Sequence, residues 1–316
     1  MKKMRIIVIC ILVFILALPA FSAKYAGEPF SLGVGARLLA MGGVAAVGPF
    51  DGTAGYWNPA GLNLLSGKNI TAMHAETFGS LLNHDFIGYT VKRPDKSRAF
   101  KGYGFYFYYL GGGGIKITDF DPQSQRPYVV REESHGDYMI GASLSGKIKN
   151  KIDFGVTLRI IYRDIATISG YGLTADIGAL YDIHKNARIG LVVTDITSGF
   201  IRYSGGTTES VLPTVKPGLL LYHTIGDFTG RLAGSGDIKF EGIKEAAQFY
   251  MGEISLDTHF GMEISWKEMI FGRAGFDIGN FTGGIGVDIN RITIDLAYLH
   301  NDYLDETFRI SAGYGF

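Results

Sequence analysis

From residue 69 onward the chain alternates apolar and polar positions with period two. In "IDFGVTLRIIYR", Ile152, Phe154, Val156, Leu158, Ile160 and Tyr162 share one face, while Asp153, Thr157, Arg159 and Arg163 share the other. "LTADIGALYDI" repeats this with Leu173, Ala175, Ile177, Ala179, Tyr181 and Ile183 opposite Thr174, Asp176 and Asp182. "ITIDLAY" sets Ile292, Ile294, Leu296 and Tyr298 against Thr293 and Asp295. Successive strand side chains point to opposite faces, so each segment carries one apolar and one charged face. About fourteen such segments follow one another, at 69–78, 84–93, 99–110, 136–149, 151–164, 170–183 and 186–197, then at 213–224, 228–240, 251–264, 268–279, 281–289, 291–300 and 306–316. Most have about 9 to 14 residues, long for a sandwich and suited to tilted strands crossing a bilayer.

The connections sort into two classes. With the last strand ending in the periplasm, every second connection is periplasmic: Arg93–Ala99, Lys149–Lys151, His184–Asn186, Thr224–Phe228, Ser265–Glu268 and Asn290 are all short. The other set holds every long connection, Gly111–His135, Ser198–Leu212 and the "FEGIKEAAQFY" region. Short turns on one side and long loops on the other predict an all-β fold, a transmembrane antiparallel β-barrel of about fourteen strands over residues 68–316.

The N-terminus fits that compartment. Lys2, Lys3 and Arg5 precede the apolar run Ile6–Leu18, and Ala20-Phe21-Ser22 offers small residues at the −3 and −1 positions. This reads as a cleaved signal peptide over 1–22 and predicts export to a bacterial outer membrane. The one cysteine, Cys10, lies inside it, so the mature chain has no thiol for a disulfide or a thiolate metal site. The net charge of +0 is spread along the sequence, which argues against nucleic acid as a partner. The chain ends "FRISAGYGF": Tyr314 and Phe316 close an apolar face in the manner of the C-terminal strand signal read by the barrel assembly machinery, and the outward faces expect outer-membrane lipid.

Eight strands fill a barrel with their own side chains, whereas a wider one leaves a channel unless something occupies it. The residues before the first strand are the candidate occupant, an N-terminal plug or hatch of short helices over 23–67. "GARLLAMGGVAAVG" is helix-leaning and interrupted by glycine, Asp51-Gly52 turns the chain, and Asn58-Pro59 makes a rigid corner in "YWNPAGL". These stretches resemble the N-terminal segment of the FadL-like and PorV/PorQ-type outer-membrane families, whose shared pattern is Gly-x-Arg-x-x-x-Met-Gly-Gly, an acidic turn, then Asn-Pro-Ala-Gly. Gly35, Arg37, Met41, Gly42 and Gly43 match the first part, Asp51 the turn, and Asn58, Pro59, Ala60 and Gly61 the last. The stretch from "GRAGFDIGNF" to the C-terminus resembles the closing strands of the PorV-type proteins. The resemblance implies a fourteen-stranded barrel with an N-terminal hatch. It also implies passive transport of hydrophobic or amphipathic small molecules of the long-chain fatty-acid kind, gated by the plug. The alternative it implies is a PorV-like accessory barrel in protein secretion or surface display, with secreted proteins as partners.

In "YGFYFYYL", Tyr103, Phe105, Phe107 and Tyr109 share the face that expects lipid, and Tyr106 and Tyr108 point inward. The inward tyrosines, with Ile161, Leu180 and Phe271, either offer aromatic surface to a hydrophobic solute or pack against the plug. Arg159, Arg163, Asp176, Asp182, Arg273 and Asp277 are the charged lumen-lining candidates, either a polar path or ion pairs with one another. The seven histidines lack metal-ligand spacing, "HAETF" is not His-Glu-x-x-His, and "GASLSG" fails the Gly-x-Ser-x-Gly elbow. No catalytic constellation, metal site or cofactor motif is present in the sequence.

Overall fold

The computed structural model describes residues 27–48, 50–77, 79–93, 100–149, 151–301 and 306–316. Residues 1–22, expected to be a signal peptide, lie outside the described residues. Seventeen strands are present among the described residues: β1 (Lys68–Thr77), β2 (Leu82–Lys92), β3 (Phe100–Asp121), β4 (Arg126–Ile148), β5 (Ile152–Ile165) and β6 (Ile168–His184) come first. They are followed by β7 (Ala187–Thr194), β8 (Phe200–Tyr203), β9 (Thr208–Ser210), β10 (Thr214–Ile225), β11 (Phe228–Lys239) and β12 (Phe249–Met251). The chain closes with β13 (Ile254–Trp266), β14 (Ile270–Asp277), β15 (Asn280–Ile289), β16 (Ile292–Leu299) and β17 (Thr307–Gly315).

Fourteen of these form the wall. Neighbours in sequence pair antiparallel, β7 passes to β10 and β11 to β13, and β17 pairs back onto β1, so the sheet closes without an edge. The short strands β8, β9 and β12 belong to the two longest connections between wall strands, at 195–213 and 240–253. Both lie at the end opposite the C-terminus, where Lys68 N donates to Phe316 O across 3.0 Å. The C-terminal, short-turn end is therefore periplasmic and the other extracellular.

The alternation sets the two faces of the wall. On β5, Val156, Leu158 and Ile160 are exposed on the outer face, while Asp153, Thr157 and Arg159 are buried on the inner one. An apolar outside and a polar inside is stable only with hydrocarbon around the barrel. Among the described residues no helix is long and apolar enough to cross a membrane. Four outward tyrosines, Tyr109, Tyr138, Tyr162 and Tyr171, are direct cross-strand neighbours over β3–β6, with ring centroids 5.1, 5.8 and 4.8 Å apart. Tyrosine places its ring in lipid and its hydroxyl in water, so this row marks the extracellular interface.

The connection expected as a long loop over 111–135 is instead a two-stranded ribbon. β3 and β4 stay paired from Gly111↔Gly136 to Asp121↔Arg126, with register shifts at Gly112/Ile115 and Ile117/Thr118. A run of four glycines carries no side chains to display alternation and reads as a loop. Flanked by β-branched and aromatic residues on both sides, it becomes a bulge that bends the strand without ending it.

Residues 27–67 run down the lumen from the extracellular to the periplasmic end. Glu28 meets Lys239 at the end of β11, and Gly67 lies against Phe316. The segment is built from single turns, at Glu28–Phe30, Ala36–Leu39, Ala54–Trp57 and Pro59–Asn63. "GARLLAMGGVAAVG" is thus helical only over Ala36–Leu39. Gly42 and Gly43 adopt φ 69° and 71°, a left-handed conformation that ends the helix and is costly for any residue with a Cβ. Helices this short do not persist alone, so their order comes from contacts with the wall.

Candidate functional site

The "YWNPAGL" corner fastens the segment to itself and to the wall. Asn58 caps the turn that Pro59 starts: its Oδ1 accepts from Ala60 N at 3.0 Å, and its Nδ2 donates to Ala46 O at 2.8 Å. Trp57 Nε1 donates to Val34 O at 2.8 Å, and Tyr56 donates to Phe30 O at 2.7 Å while accepting from Gly33 N at 3.1 Å. Three stretches of the segment are thereby tied through one corner. Thr157 on β5 donates to Gly55 O at 2.8 Å, joining the corner to the wall. Around Tyr56 stand Trp57, Phe86, Tyr106 and Tyr108, with centroids 5.2 to 6.5 Å away. Burial pushes the Tyr56 hydroxyl pKa up to about 12.

Wall glycines let the backbone of the segment come close. A Cβ on Gly155 would lie 2.3 Å from the Pro59 carbonyl carbon, and one on Gly261 would lie 2.2 Å from Met41 O. The same holds in reverse for Gly42, where a Cβ would meet Phe276 O at 2.4 Å and Phe260 O at 2.5 Å. Gly42 N donates to Thr282 on β15 at 3.0 Å, and His259 on β13 contacts Gly42 O at 3.0 Å.

Arg37 makes the strongest electrostatic tie. Its Nε and Nη2 donate to the two carboxylate oxygens of Glu263 at 2.9 and 2.8 Å, and its guanidinium lies 5.1 Å from the Phe271 ring centre. Glu263, fully buried on β13, also accepts from Arg231 at 2.9 Å and Arg273 at 2.6 Å, and Arg273 reaches Asp295 at 2.6 Å. Burial disfavours the Arg37 charge, but the Glu263 carboxylate outweighs that and holds the guanidinium protonated.

The other motif residues have local roles. Gly35 turns the chain at φ 78°, and its N–H points at the Met73 sulfur, 3.0 Å away. Asp51 Oδ1 accepts from Thr53 N at 2.8 Å and Thr53 Oγ1 at 2.6 Å, closing the acidic turn. Gly61 lies under the Phe50 ring, where a Cβ would come within 2.6 Å. Met41 and Ala60 are fully buried.

Of the lumen-lining candidates, Tyr106 and Tyr108 are buried against Tyr56, and the Tyr108 hydroxyl donates to Pro29 O. Arg159 pairs with Asp176, and Arg163 with Asp137 at 2.5 Å. Asp182 sits exposed at the periplasmic rim with Arg188 at 2.7 Å. Asp277, near the extracellular end, is 2.9 Å from His259. Tyr314 and Phe316 stack on the outer face at the end of the last strand, with Tyr89 beside Phe316. Sequence reasoning missed Glu263, Asp137, Asp237 and His259. Glu263 had a visible signal, a lone acid between the outward apolar residues Met262 and Ile264.

Between the segment and the extracellular half of the wall lies a cavity of about 320 Å³. Phe30, Leu39 and Trp57 give it an apolar floor, and Lys216, Asp237 and Asp257 a charged side. That volume is at the lower end of small-molecule sites. Among the described residues no group of three or more His, Cys, Asp or Glu is placed to hold a metal ion.

Solved structures share the fold of this barrel. The Ralstonia pickettii toluene transporter TbuX superposes with a TM-score of 0.61 at 12% identity, covering 91% of this chain and 100% of that one. The chain folds as a FadL-like outer-membrane barrel. The CymD monoaromatic hydrocarbon channel matches this FadL-like barrel with a TM-score of 0.56 at 13% identity, over 90% of this chain and 98% of that one. The Pseudomonas putida toluene transporter TodX gives 0.53 at 11% identity, over 89% and 96%. At such identities the FadL-like likeness is one of fold. No family model matches the sequence, and no curated protein matches it.

Proposed function

We propose that this chain is a passive outer-membrane channel for hydrophobic or amphipathic small molecules, with residues 23–67 as its gate. The observation that carries the reading is the cavity above the segment, apolar on Phe30, Leu39 and Trp57 and charged on Lys216, Asp237 and Asp257. Such a divided lining suits an amphipathic solute, with its apolar body on the segment and its polar end on the wall. The fold shared with the toluene transporters TbuX and TodX and the monoaromatic hydrocarbon channel CymD supports the same class. Movement past the segment requires it to shift, because it spans the lumen from Glu28 to Gly67.

Uptake of radiolabelled toluene and of oleate by proteoliposomes tests this. A chain lacking residues 27–67 should pass both faster than the intact protein. A disulfide between Gly55→Cys and Ser143→Cys should slow passage, and reductant should restore it. Rates equal to protein-free liposomes for every form would overturn the proposal. One observation favours the accessory-barrel reading: the ribbon beyond the tyrosine row exposes Phe120, Tyr128, Val129 and Val130. A secreted protein that co-purifies with the intact chain, but not with one trimmed of residues 113–134, would support that role.

A further inference from the structure

The periplasmic rim is electrostatically lopsided. Over most of the rim cations either have an acid beside them, as Arg188 with Asp182 at 2.7 Å, Lys267 with Asp227 at 3.7 Å and Arg231 with Glu268 at 2.8 Å, or stand singly, as Lys185 and Arg291 do. Across β2–β5 this balance fails. Lys92 and Lys147 face the lumen, where Lys92 donates to Asn63 O and Lys147 lies 3.5 Å from Asp153. Arg93, Lys101, Lys149 and Lys151 form no ion pair with any described residue, and Arg93, Lys149 and Lys151 are exposed.

Beneath these cations lies an aromatic and apolar shelf on the outer face. Phe100 and Phe154 meet at 5.8 Å across Gly146, which is the register partner of both and has no side chain to separate them. Ile148 and Ile152 are directly paired and exposed beside them. The Arg93 guanidinium sits 5.1 Å from the Tyr103 ring. Rings and aliphatic side chains at this level face acyl chains, and the cations sit where the headgroups of the periplasmic leaflet begin.

We propose that this rim binds an anionic phospholipid, with Arg93, Lys101, Lys149 and Lys151 around the headgroup phosphate and Phe100, Phe154 and Ile152 along the acyl chains. Charge and layering together select the ligand: a free anion would use the cations and leave the shelf unused, and a zwitterionic lipid would use the shelf without needing a cluster of four cations. The site tethers one side of the barrel, next to where the N-terminal segment leaves the lumen at Gly67.

Native mass spectrometry of the detergent-solubilised full chain tests this, with dioleoyl phosphatidylglycerol, dioleoyl phosphatidylcholine and inorganic phosphate as probes. Each cation near an anionic headgroup is worth about fivefold in affinity. K101Q/K149Q/K151Q should therefore bind phosphatidylglycerol on the order of a hundredfold more weakly, and K149Q/K151Q, confined to the turn, about twenty-five-fold more weakly. K185Q/K267Q/R291Q, on the far side of the rim, should bind as the parent does. Heat-modifiable gel mobility identifies the folded barrel in each sample. Undiminished phosphatidylglycerol binding by the K101Q/K149Q/K151Q variant overturns the proposal, as does equal binding of phosphatidylcholine by the parent. Displacement of the lipid by an equal concentration of inorganic phosphate would assign the cations to a free anion and also overturn it.

Discussion

Replacing Arg37 with alanine isolates the tie between segment and wall. The substitution removes two charge-assisted hydrogen bonds, at 2.9 and 2.8 Å, and the cation over Phe271. Each such bond is worth about 1.5–3 kcal/mol when the acceptor is left alone. Glu263 is not left alone, since Arg231 and Arg273 still hold it at 2.9 and 2.6 Å. The net loss of docking free energy should therefore be about 2–3 kcal/mol, a rise of about 30- to 150-fold in the undocked population. A cysteine at Val44, which is fully buried in the segment, reports that population through its rate of modification by a water-soluble thiol reagent, in a Cys10→Ser background. Arg37→Ala should raise the rate by that factor. Arg37→Lys keeps the charge without the two-pronged geometry and should fall between. Glu263→Gln should exceed both, because it leaves three guanidinium groups around a neutral amide. A rate for Arg37→Ala within twofold of the parent would refute the reasoning.

Three further outcomes use the same reporter or the fluorescence of Trp57. Asn58→Ala loses its bonds to Ala46 O and Ala60 N and should weaken docking by about 1–3 kcal/mol, seen as faster thiol modification; no change would show the corner to be dispensable. Gly42→Ala places a Cβ against two wall carbonyls at φ 69° and should raise the modification rate more than Asn58→Ala does. Tyr56 has its hydroxyl pKa raised from 10.0 to about 12, so its contribution is fully present below pH 10 and is lost as pH climbs through about 12. Trp57 fluorescence in a Trp266→Phe chain should report undocking in that window, and Tyr56→Phe should remove this part of the pH dependence.

Much of the barrel is legible in the sequence because alternation is a local property. Val156, Leu158 and Ile160 against Thr157 and Arg159 need no knowledge of neighbouring strands to sort into two faces. Fourteen wall strands and the placing of the longest connections at one end follow from counting such segments. The ribbon at 111–135 was not legible, since Gly111–Gly114 carry no alternation and only pairing with β4 shows the strand continuing. Partners across the lumen were hidden for a different reason. That Arg37 meets Glu263 depends on barrel closure and on the register of β13 against β11 and β14, distant in sequence from the segment. The motif marked Arg37, Gly42 and Asn58 as special; the inner face of the wall supplies the reason for each.

Arg37 meets Glu263 only if residues 27–67 occupy the lumen of the barrel in the native membrane. A Cβ on Gly55 would lie 3.4 Å from that of Ser143 on β4, close to the separation a disulfide requires. Cells expressing the Gly55→Cys, Ser143→Cys chain, oxidised while intact, should yield a cross-linked form of altered gel mobility that reductant reverses, and neither single variant should give it. A double variant that folds as a heat-modifiable barrel and stays uncross-linked under full oxidation would contradict the claim.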